Sequence, residues 1–196
     1  MDHDRHGARQ PHRFDPKRAG MLDDRERFET LPPADVFALL DAPQGGTVVD
    51  FGTGTGTYAV ELARSRPDLR VIALDEQAEM LDRLRAKLAH HPLKNVEPVL
   101  SPSPRNLGGA ADRILALNVL HELGDAALAE LRALLKPDGA VAFIDWSAEG
   151  ERPIGPPNDH VYTPAEARER LEAGGFAVLR QQLFPYHYGL VCRLKR

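Results

Sequence analysis

Short apolar runs rich in β-branched residues alternate with amphipathic patterns along most of the chain. In the helix predicted over 76–90, Leu81, Leu84 and Leu88 recur at spacings of three and four, so they share one face. Strands are predicted at 47–51, 71–74, 96–100, 113–118 and 140–146. Strands that alternate with helices in this way form a parallel sheet that is covered on both faces.

Capping and turn residues predict where two of the later helices begin and end. Asp125 is predicted to cap a helix that carries Leu128, Leu131 and Leu135, and the turn over 136–139 stops it. Farther on, the sequence over 163–166 is a capping box with proline at the first helical position. A helix over 164–173 follows from it.

The end of the chain has a different pattern from the alternating units. The runs 176–183 and 186–194 are joined by a turn at Pro185 that is too short for a crossover helix, so they should pair antiparallel. We therefore expect an α/β protein with a Rossmann-like, seven-stranded, mostly parallel sheet, helices on both faces and a C-terminal antiparallel β-hairpin.

The first thirty residues mix both charges with histidine and proline and show no apolar period. We expect residues 1–30 to form an N-terminal arm and residues 31–196 to form one folded domain, which suits a length of 196. His3, His6 and His12 have no rigid spacing, so the arm predicts no metal site. Phe14, Met21 and Leu22 interrupt its polar pattern, and from them we hypothesise a substrate lid.

Composition narrows the classes of function. The formal charge is −4, so no global basic field attracts nucleic acid or anionic membrane. A single cysteine, Cys192, excludes an intrachain disulfide and a four-thiolate metal centre. The sequence has neither a secretory apolar region near its start nor an apolar run of membrane-spanning length. We expect a soluble cytoplasmic protein, either a monomer or a homodimer.

A glycine-rich loop lies between the first strand and its helix. In Gly52-Thr53-Gly54-Thr55-Gly56 the glycines let the backbone approach a ligand, and the following helix start supplies N–H groups. Asp75 ends the second strand, 23 residues after Gly52, where an acidic side chain binds a ribose. The pattern indicates an adenosine-type ligand.

Two cofactor classes share this pattern, and two residues separate them. The dinucleotide template needs a small third residue, but Thr57 stands there with a branched side chain. Asp50, just before the loop, pairs with a cationic ligand and repels a pyrophosphate. The residues favour a cationic cofactor, and a nicotinamide-dependent oxidoreductase remains the alternative.

With these residues and the motifs below, the chain resembles the class I S-adenosylmethionine-dependent methyltransferases. It is most similar to the small-molecule branch that includes ubiquinone-biosynthesis-like methyltransferases, also called type 11. The resemblance covers roughly residues 45–195, and its motifs follow the family's order. The matching motifs are the glycine loop over 48–56, the acidic motif over 71–81, the fourth-strand motif over 112–123, the helix–turn–strand over 134–146 and the late turn over 173–176.

The resemblance implies S-adenosyl-L-methionine as cofactor and a small-molecule methyl acceptor. It implies that Asp50 reaches the amino group of the methionine part, that Asp75 binds the ribose, and that Ser101 replaces an adenine-binding aspartate of many relatives. The full set of implied cofactor residues is Asp50, Gly52, Thr53, Gly54, Gly56, Asp75, Glu76, Gln77, Met80, Ser101 and Asn118.

Methyl transfer needs alignment in a dry pocket, and a base only where the acceptor must lose a proton. His121, Asp145 and His187 follow strand ends or lie in the hairpin, so they are the candidate catalytic residues. Each also has a structural interpretation: His121 and Asp145 as loop anchors, and His187 on the face of its strand that points away from the pocket. A non-catalytic cofactor-binding module is the third alternative.

Overall fold

Seven strands and six α-helices form the described part of the chain. The computed structural model describes residues 15–101 and 107–195. The strands are β1 Thr47–Phe51, β2 Arg70–Asp75, β3 Val96–Leu100, β4 Ala111–Leu117, β5 Leu135–Trp146, β6 Phe176–Leu183 and β7 His187–Leu194. The helices are α1 Arg27–Thr30, α2 Pro33–Leu40, α3 Thr57–Ser65, α4 Ala78–His90, α5 Asp125–Leu134 and α6 Pro164–Ala173.

The strands join in one sheet with the order β3-β2-β1-β4-β5-β7-β6. Strands β1 to β5 are parallel to one another, and β7 is antiparallel to both β5 and β6. The predicted Rossmann-like fold and its C-terminal hairpin are confirmed. The chain order reverses between β1 and β4, which is the switch point where open α/β sheets bind ligands.

Two apolar cores cover the two faces of the sheet. One core is formed with side chains of α5 and α6, such as Leu131 and Leu171, and the other with side chains of α2 and α3, such as Leu39 and Leu62. The middle strands contribute to both cores because successive side chains of a strand point to opposite faces. Their nearly continuous apolar sequence reflects this burial on both sides.

Helix α6 begins as predicted, but α5 begins and ends differently. Thr163 and Glu166 form both hydrogen bonds of the capping box at the start of α6. The predicted cap by Asp125 is wrong, because Gly124 is the N-cap residue of α5 and the Asp125 carboxylate accepts a hydrogen bond from Arg170 instead. Leu135 is also outside α5: the helix ends at Leu134, and Leu135 pairs with Ala111 at the start of β5.

The segment before α2 is folded against the domain from residue 15 onward. A 3-10 helix spans Pro16–Asp23, and Asp15 caps it by accepting a hydrogen bond from the Lys17 N–H. The Tyr58 hydroxyl donates to the carbonyl of Leu31 at 2.9 Å, which ties the end of this segment to α3. The part of the arm over 1–14, including Phe14, lies outside the described residues.

Among the helices described, none combines the length and the apolar character that crossing a bilayer requires.

Candidate cofactor site

A cavity of about 900 Å³ opens at the carboxyl ends of β1, β2 and β4, at the switch point of the sheet. Nine of the eleven predicted cofactor residues line it: Asp50, Gly52, Thr53, Asp75, Glu76, Gln77, Met80, Ser101 and Asn118. Gly54 and Gly56 are not on its wall. The parallel strands bring these positions together because their carboxyl ends meet at one edge of the sheet.

Asp50 is the penultimate residue of β1 and carries a buried carboxyl group beside the glycine loop, with 4 % of the residue exposed. Its Oδ2 accepts a hydrogen bond from the Thr53 hydroxyl at 2.6 Å. Burial raises the pKa of Asp50 to about 6, and the charge of Asp75 acts in the same direction. Near neutral pH the group is an anion with unused acceptor sites, which suits a cationic ligand group.

The backbone N–H groups of the glycine loop are largely used within the fold. The N–H groups of Gly52 and Thr53 both donate to the carbonyl of Leu74, at 2.8 and 3.0 Å, and that of Gly54 donates to Asp75 at 2.7 Å. The N–H of Gly56 donates to the carbonyl of Thr53. The loop is therefore fixed to the end of β2, and these four amides are committed to protein acceptors, which the sequence pattern did not indicate.

Two glycines of the loop are required by close packing. Gly52 has φ +71°, and a Cβ placed there would lie 2.6 Å from Cγ1 of Val119. Gly56 has φ +77°, and a Cβ there would lie 2.4 Å from Cδ1 of Leu84 in α4. Both positions exclude larger residues for steric and conformational reasons. Gly52 permits the loop to pass close to Val119, just after β4, and Gly56 permits it to pack on α4.

Asp75 is held in place at the end of β2 by two backbone amides. Its Oδ2 accepts from the Gly54 N–H at 2.7 Å and its Oδ1 accepts from the Gln77 N–H at 2.9 Å. Burial raises its pKa, although these two hydrogen bonds oppose the shift. Each carboxylate oxygen accepts more than one hydrogen bond, so the fixed group can still bind a pair of hydroxyls on the cavity side.

Thr57 begins α3, and its hydroxyl makes hydrogen bonds that the small residue of the dinucleotide template could not make. Its hydroxyl donates to the carbonyl of Leu22 at 2.9 Å and lies 3.0 Å from the Asp23 carboxylate. The Thr55 hydroxyl donates to the same carboxylate at 2.5 Å, and Lys87 pairs with it from α4. The loop residues therefore fasten the N-terminal segment beside the cavity, where Leu22 forms part of the wall.

Asn118 follows β4 in the left-handed conformation, with φ 58°. Its N–H donates to the carbonyl of Ile144 at 2.7 Å. Its side-chain Oδ1 is buried and has no hydrogen-bond partner among the described residues. A buried polar atom without a partner is costly, and this one belongs to a residue on the cavity wall.

His121 and Asp145, two of the candidate catalytic residues, contact each other directly. The Nδ1 atom of His121 lies 2.9 and 3.0 Å from the two carboxylate oxygens of Asp145, which is fully buried. The backbone N–H of His121 also donates to Asp145 at 2.9 Å. Burial disfavours the imidazolium, but the adjacent carboxylate outweighs it and raises the pKa of His121. Neither residue lines the cavity itself.

Glu122 connects this pair to the cavity. It lines the cavity wall, and one carboxylate oxygen lies 3.7 Å from Nε2 of His121. Burial raises the pKa of Glu122 to about 7, and the negative charges of Asp145, Glu76 and Asp75 add to the shift. We did not select Glu122 from the sequence. The sequence feature that could have identified it is a carboxylate directly after a histidine, just beyond the carboxyl end of a strand.

His187, the third candidate catalytic residue, is buried beside Trp146. The two ring centroids are 3.9 Å apart, and neither ring nitrogen has a hydrogen-bond partner among the described residues. Burial lowers the pKa of His187 to about 3, and the charges of Arg27 and Arg152 add to the shift. The imidazole is therefore neutral at physiological pH, and it is not on the cavity wall.

No group of three or more metal-ligating side chains occurs within 15–101 and 107–195. His3, His6 and His12 lie outside these ranges.

Comparison with known proteins agrees with this architecture. A family described as a methyltransferase domain matches residues 48–139. The crystal structure of an S-adenosylmethionine-dependent methyltransferase from Aquifex aeolicus superposes with a TM-score of 0.83 at 34 % identity, covering 92 % of this chain and 98 % of that one. This chain therefore belongs to the class I S-adenosylmethionine-dependent methyltransferases.

Curated relatives act on different acceptors. Dimethylglycine N-methyltransferase of Parasynechococcus marenigrum is 34 % identical in an alignment of length 168 that covers 78 % of this chain and 59 % of the relative. Release factor glutamine methyltransferase of Escherichia coli is 26 % identical in an alignment of length 140 that covers 67 % of this chain and 45 % of the relative. The chain thus spans about half the length of these relatives, whose names include a small-molecule and a protein acceptor.

Proposed function

We propose that this protein transfers a methyl group from S-adenosylmethionine to a small-molecule acceptor. The observation that carries the proposal is the cavity at the switch point, where two buried carboxyl groups, Asp50 and Asp75, stand on either side of a glycine loop. Asp75 is fixed by two amides, and Asp50 is fixed by Thr53. Their spacing along two adjacent strands suits a ligand that has a cationic end and a ribose.

The residues present fit the cofactor. Asp50 would accept from the ammonium group of the methionine part, and Asp75 would accept from the ribose hydroxyls. Gln77 and Met80 would lie beside the adenine, and Asn118 would contact the methionine part. When bound, the cofactor supplies a methyl group activated by its sulfonium. The protein then has to align the acceptor and exclude water.

We propose Glu122 as the group that takes the acceptor's proton, with His121 as its neighbour. Glu122 lies on the cavity wall and His121 stands behind it at 3.7 Å, oriented by Asp145. A carboxylate with a pKa of about 7 is suited to accept a proton near neutral pH. In this arrangement Glu122 takes the proton from the acceptor, and His121 and Asp145 are positioning residues.

We propose that the N-terminal segment closes over the acceptor as a lid. Leu22 and Arg27 belong to the cavity wall, and the segment is fastened to the loop through Thr55 and Thr57. A variant that lacks residues 1–30 is expected to lose turnover while its remaining domain stays folded. Full turnover by this variant would refute the lid.

Charge supports a small acceptor over a nucleic acid. The cavity wall holds five carboxylic acids and one cationic side chain among the described residues, and the chain's formal charge is −4. Such a surface repels a phosphate backbone. Dimethylglycine N-methyltransferase is a relative whose name gives a small amine as acceptor, and we extend that class to this chain as part of the proposal.

The test is the formation of S-adenosylhomocysteine with separate acceptor panels. One panel holds small amines and hydroxy compounds, a second holds release-factor peptides with glutamine, and a third holds ribosomal RNA fragments. We expect product with the first panel alone. Product with only the peptide or the RNA panel would overturn the small-molecule assignment and leave the methyltransferase family assignment in place.

A further inference from the structure

Arg27 is a cationic side chain on the cavity wall, supplied by the N-terminal segment rather than by the sheet. Its Nη1 donates to the carbonyl of Leu22 at 3.0 Å. Its guanidinium carbon lies 5.6 Å from the centre of the Tyr58 ring, a distance at which cation and ring attract each other. These two contacts orient the guanidinium beside the cavity and leave other donors of its fork unused by them.

Arg27 forms no direct ion pair with any of the described residues. None of the ion pairs within 15–101 and 107–195 includes it. Burial lowers its pKa, and the nearby acidic groups of Tyr58, Asp23 and Asp50 act in the opposite direction. A partly buried guanidinium is expected to have an anionic partner, so its position points to a ligand.

The rest of the cavity wall is unfavourable for an anion. Arg27 is the one cationic side chain among the described lining residues, whereas five lining residues are acidic: Asp50, Asp75, Glu76, Glu122 and Glu130. The loop amides of Gly52, Thr53, Gly54 and Gly56 already donate to protein acceptors. A negatively charged ligand group in this cavity therefore depends on Arg27 more than on the loop.

The amino-acid end of the cofactor carries two opposite charges on one carbon atom. An ammonium group bound at Asp50 brings a carboxylate to within a few ångströms of the same place. Arg27 lines the same wall as Asp50 and is close enough for each charge to affect the other's pKa. Its guanidinium fork matches the two oxygens of a carboxylate.

We infer that Arg27 binds the carboxylate of the cofactor's methionine end, so that the N-terminal segment completes the cofactor site. This inference rests on the proposed function, because it requires a ligand with an amino-acid end. It gives the segment a role in cofactor affinity that is separate from any role in covering the acceptor.

The test compares two ligands that differ at this end. S-adenosylhomocysteine has the amino-acid group, and 5′-methylthioadenosine has the same adenosine and thioether without it. Both are titrated by calorimetry into the native full-length protein, Arg27→Gln, and the matched control Arg25→Gln. Arg25 is two residues away, pairs with Glu61, and has a side chain that is 73 % exposed. Unfolding midpoints without ligand report whether each variant is folded.

We expect Arg27→Gln to weaken S-adenosylhomocysteine about 10- to 100-fold, the range for a hydrogen-bonded charge pair, and to leave 5′-methylthioadenosine within about twofold. Arg25→Gln should change neither. Equal weakening of both ligands, or no weakening of either, would overturn the inference while the cofactor assignment stands. Failure of the native protein to bind S-adenosylhomocysteine would overturn the proposed function and the inference together.

Discussion

Acid pH should weaken the contact between the ammonium group of S-adenosylhomocysteine and Asp50. The ligand's ammonium needs an ionised carboxylate, and burial raises the pKa of Asp50 to about 6. A proton therefore competes with the ammonium as the pH falls below that value. The charges that act on Asp50 are those of Asp75, which raises its pKa, and Arg27, which lowers it.

The magnitude follows from the ionised fraction. For a carboxyl group of pKa about 6, this fraction falls from about 0.9 at pH 7 to about 0.1 at pH 5. If only the ionised form binds the ammonium, the dissociation constant rises about tenfold between these two pH values, or about 1.4 kcal/mol. Reference α-amino and α-carboxyl groups titrate outside this window, so the ligand's own charges stay nearly constant.

The assay is calorimetric titration at pH 5, 6 and 7 with S-adenosylhomocysteine and with 5′-methylthioadenosine. The second ligand keeps the ribose but lacks the ammonium, so it corrects for the titration of Asp75, whose pKa burial also raises. The tenfold loss should appear for the first ligand beyond any change for the second. In Asp50→Asn the difference between the ligands should not depend on pH. An equal pH dependence for both ligands in the native protein would refute the reasoning.

Three further outcomes are expected. Asp75→Ala should weaken S-adenosylhomocysteine and 5′-methylthioadenosine alike in calorimetry, and a loss confined to one of them would contradict the ribose assignment. In urea unfolding, Gly56→Ala should destabilise the protein by about 1–3 kcal/mol more than Gly45→Ala. Both glycines have positive φ, but only at Gly56 would the added Cβ clash with Leu84, so equal losses of stability would exclude the packing explanation. Folded Glu122 keeps a proton that the unfolded chain releases between pH 4.5 and about 7, so the native protein loses stability across that range. The Glu122→Gln variant should therefore become more stable relative to the native protein as the pH rises from 5 to 8, by roughly 3 kcal/mol at most. A stability difference that does not vary with pH would contradict the raised pKa of Glu122.

The fold could be predicted from the sequence because its local signals are strong. Strands buried on both faces leave apolar runs such as 71–74, and the capping box at Thr163 and Glu166 marks the start of α6. The start of α5 was harder to predict, because Gly124 and Asp125 are adjacent and both are typical cap residues. The Asp125 carboxylate pairs with Arg170, which is 45 residues away and invisible to local reasoning.

The site was partly predictable for the same reason. Asp50, the glycine loop and Asp75 are recognisable because strand ends and loop spacing fix them locally. The contact between His121 and Asp145 depends on the pairing of β4 with β5, so the sequence suggested both residues without indicating that they are hydrogen-bonded.

The contribution of the N-terminal segment was the hardest to predict. Residues 15–30 have no apolar period. Apart from the packing of Phe28 against Tyr58, the segment is held by polar contacts such as those of Asp23 with Thr55 and Lys87. Periodicity detects buried apolar faces and gives no signal for a segment attached by hydrogen bonds. The cavity position of Arg27 therefore became evident only in three dimensions.

The central claim is that this cavity binds S-adenosylmethionine, and calorimetry of the native protein with competing cofactors tests it most directly. S-adenosylmethionine, S-adenosylhomocysteine, NAD and NADP are titrated under one set of conditions near pH 7. We expect the two sulfur compounds to bind with one site per chain and the two dinucleotides not to bind. Binding of a nicotinamide cofactor with no binding of either sulfur compound would contradict it.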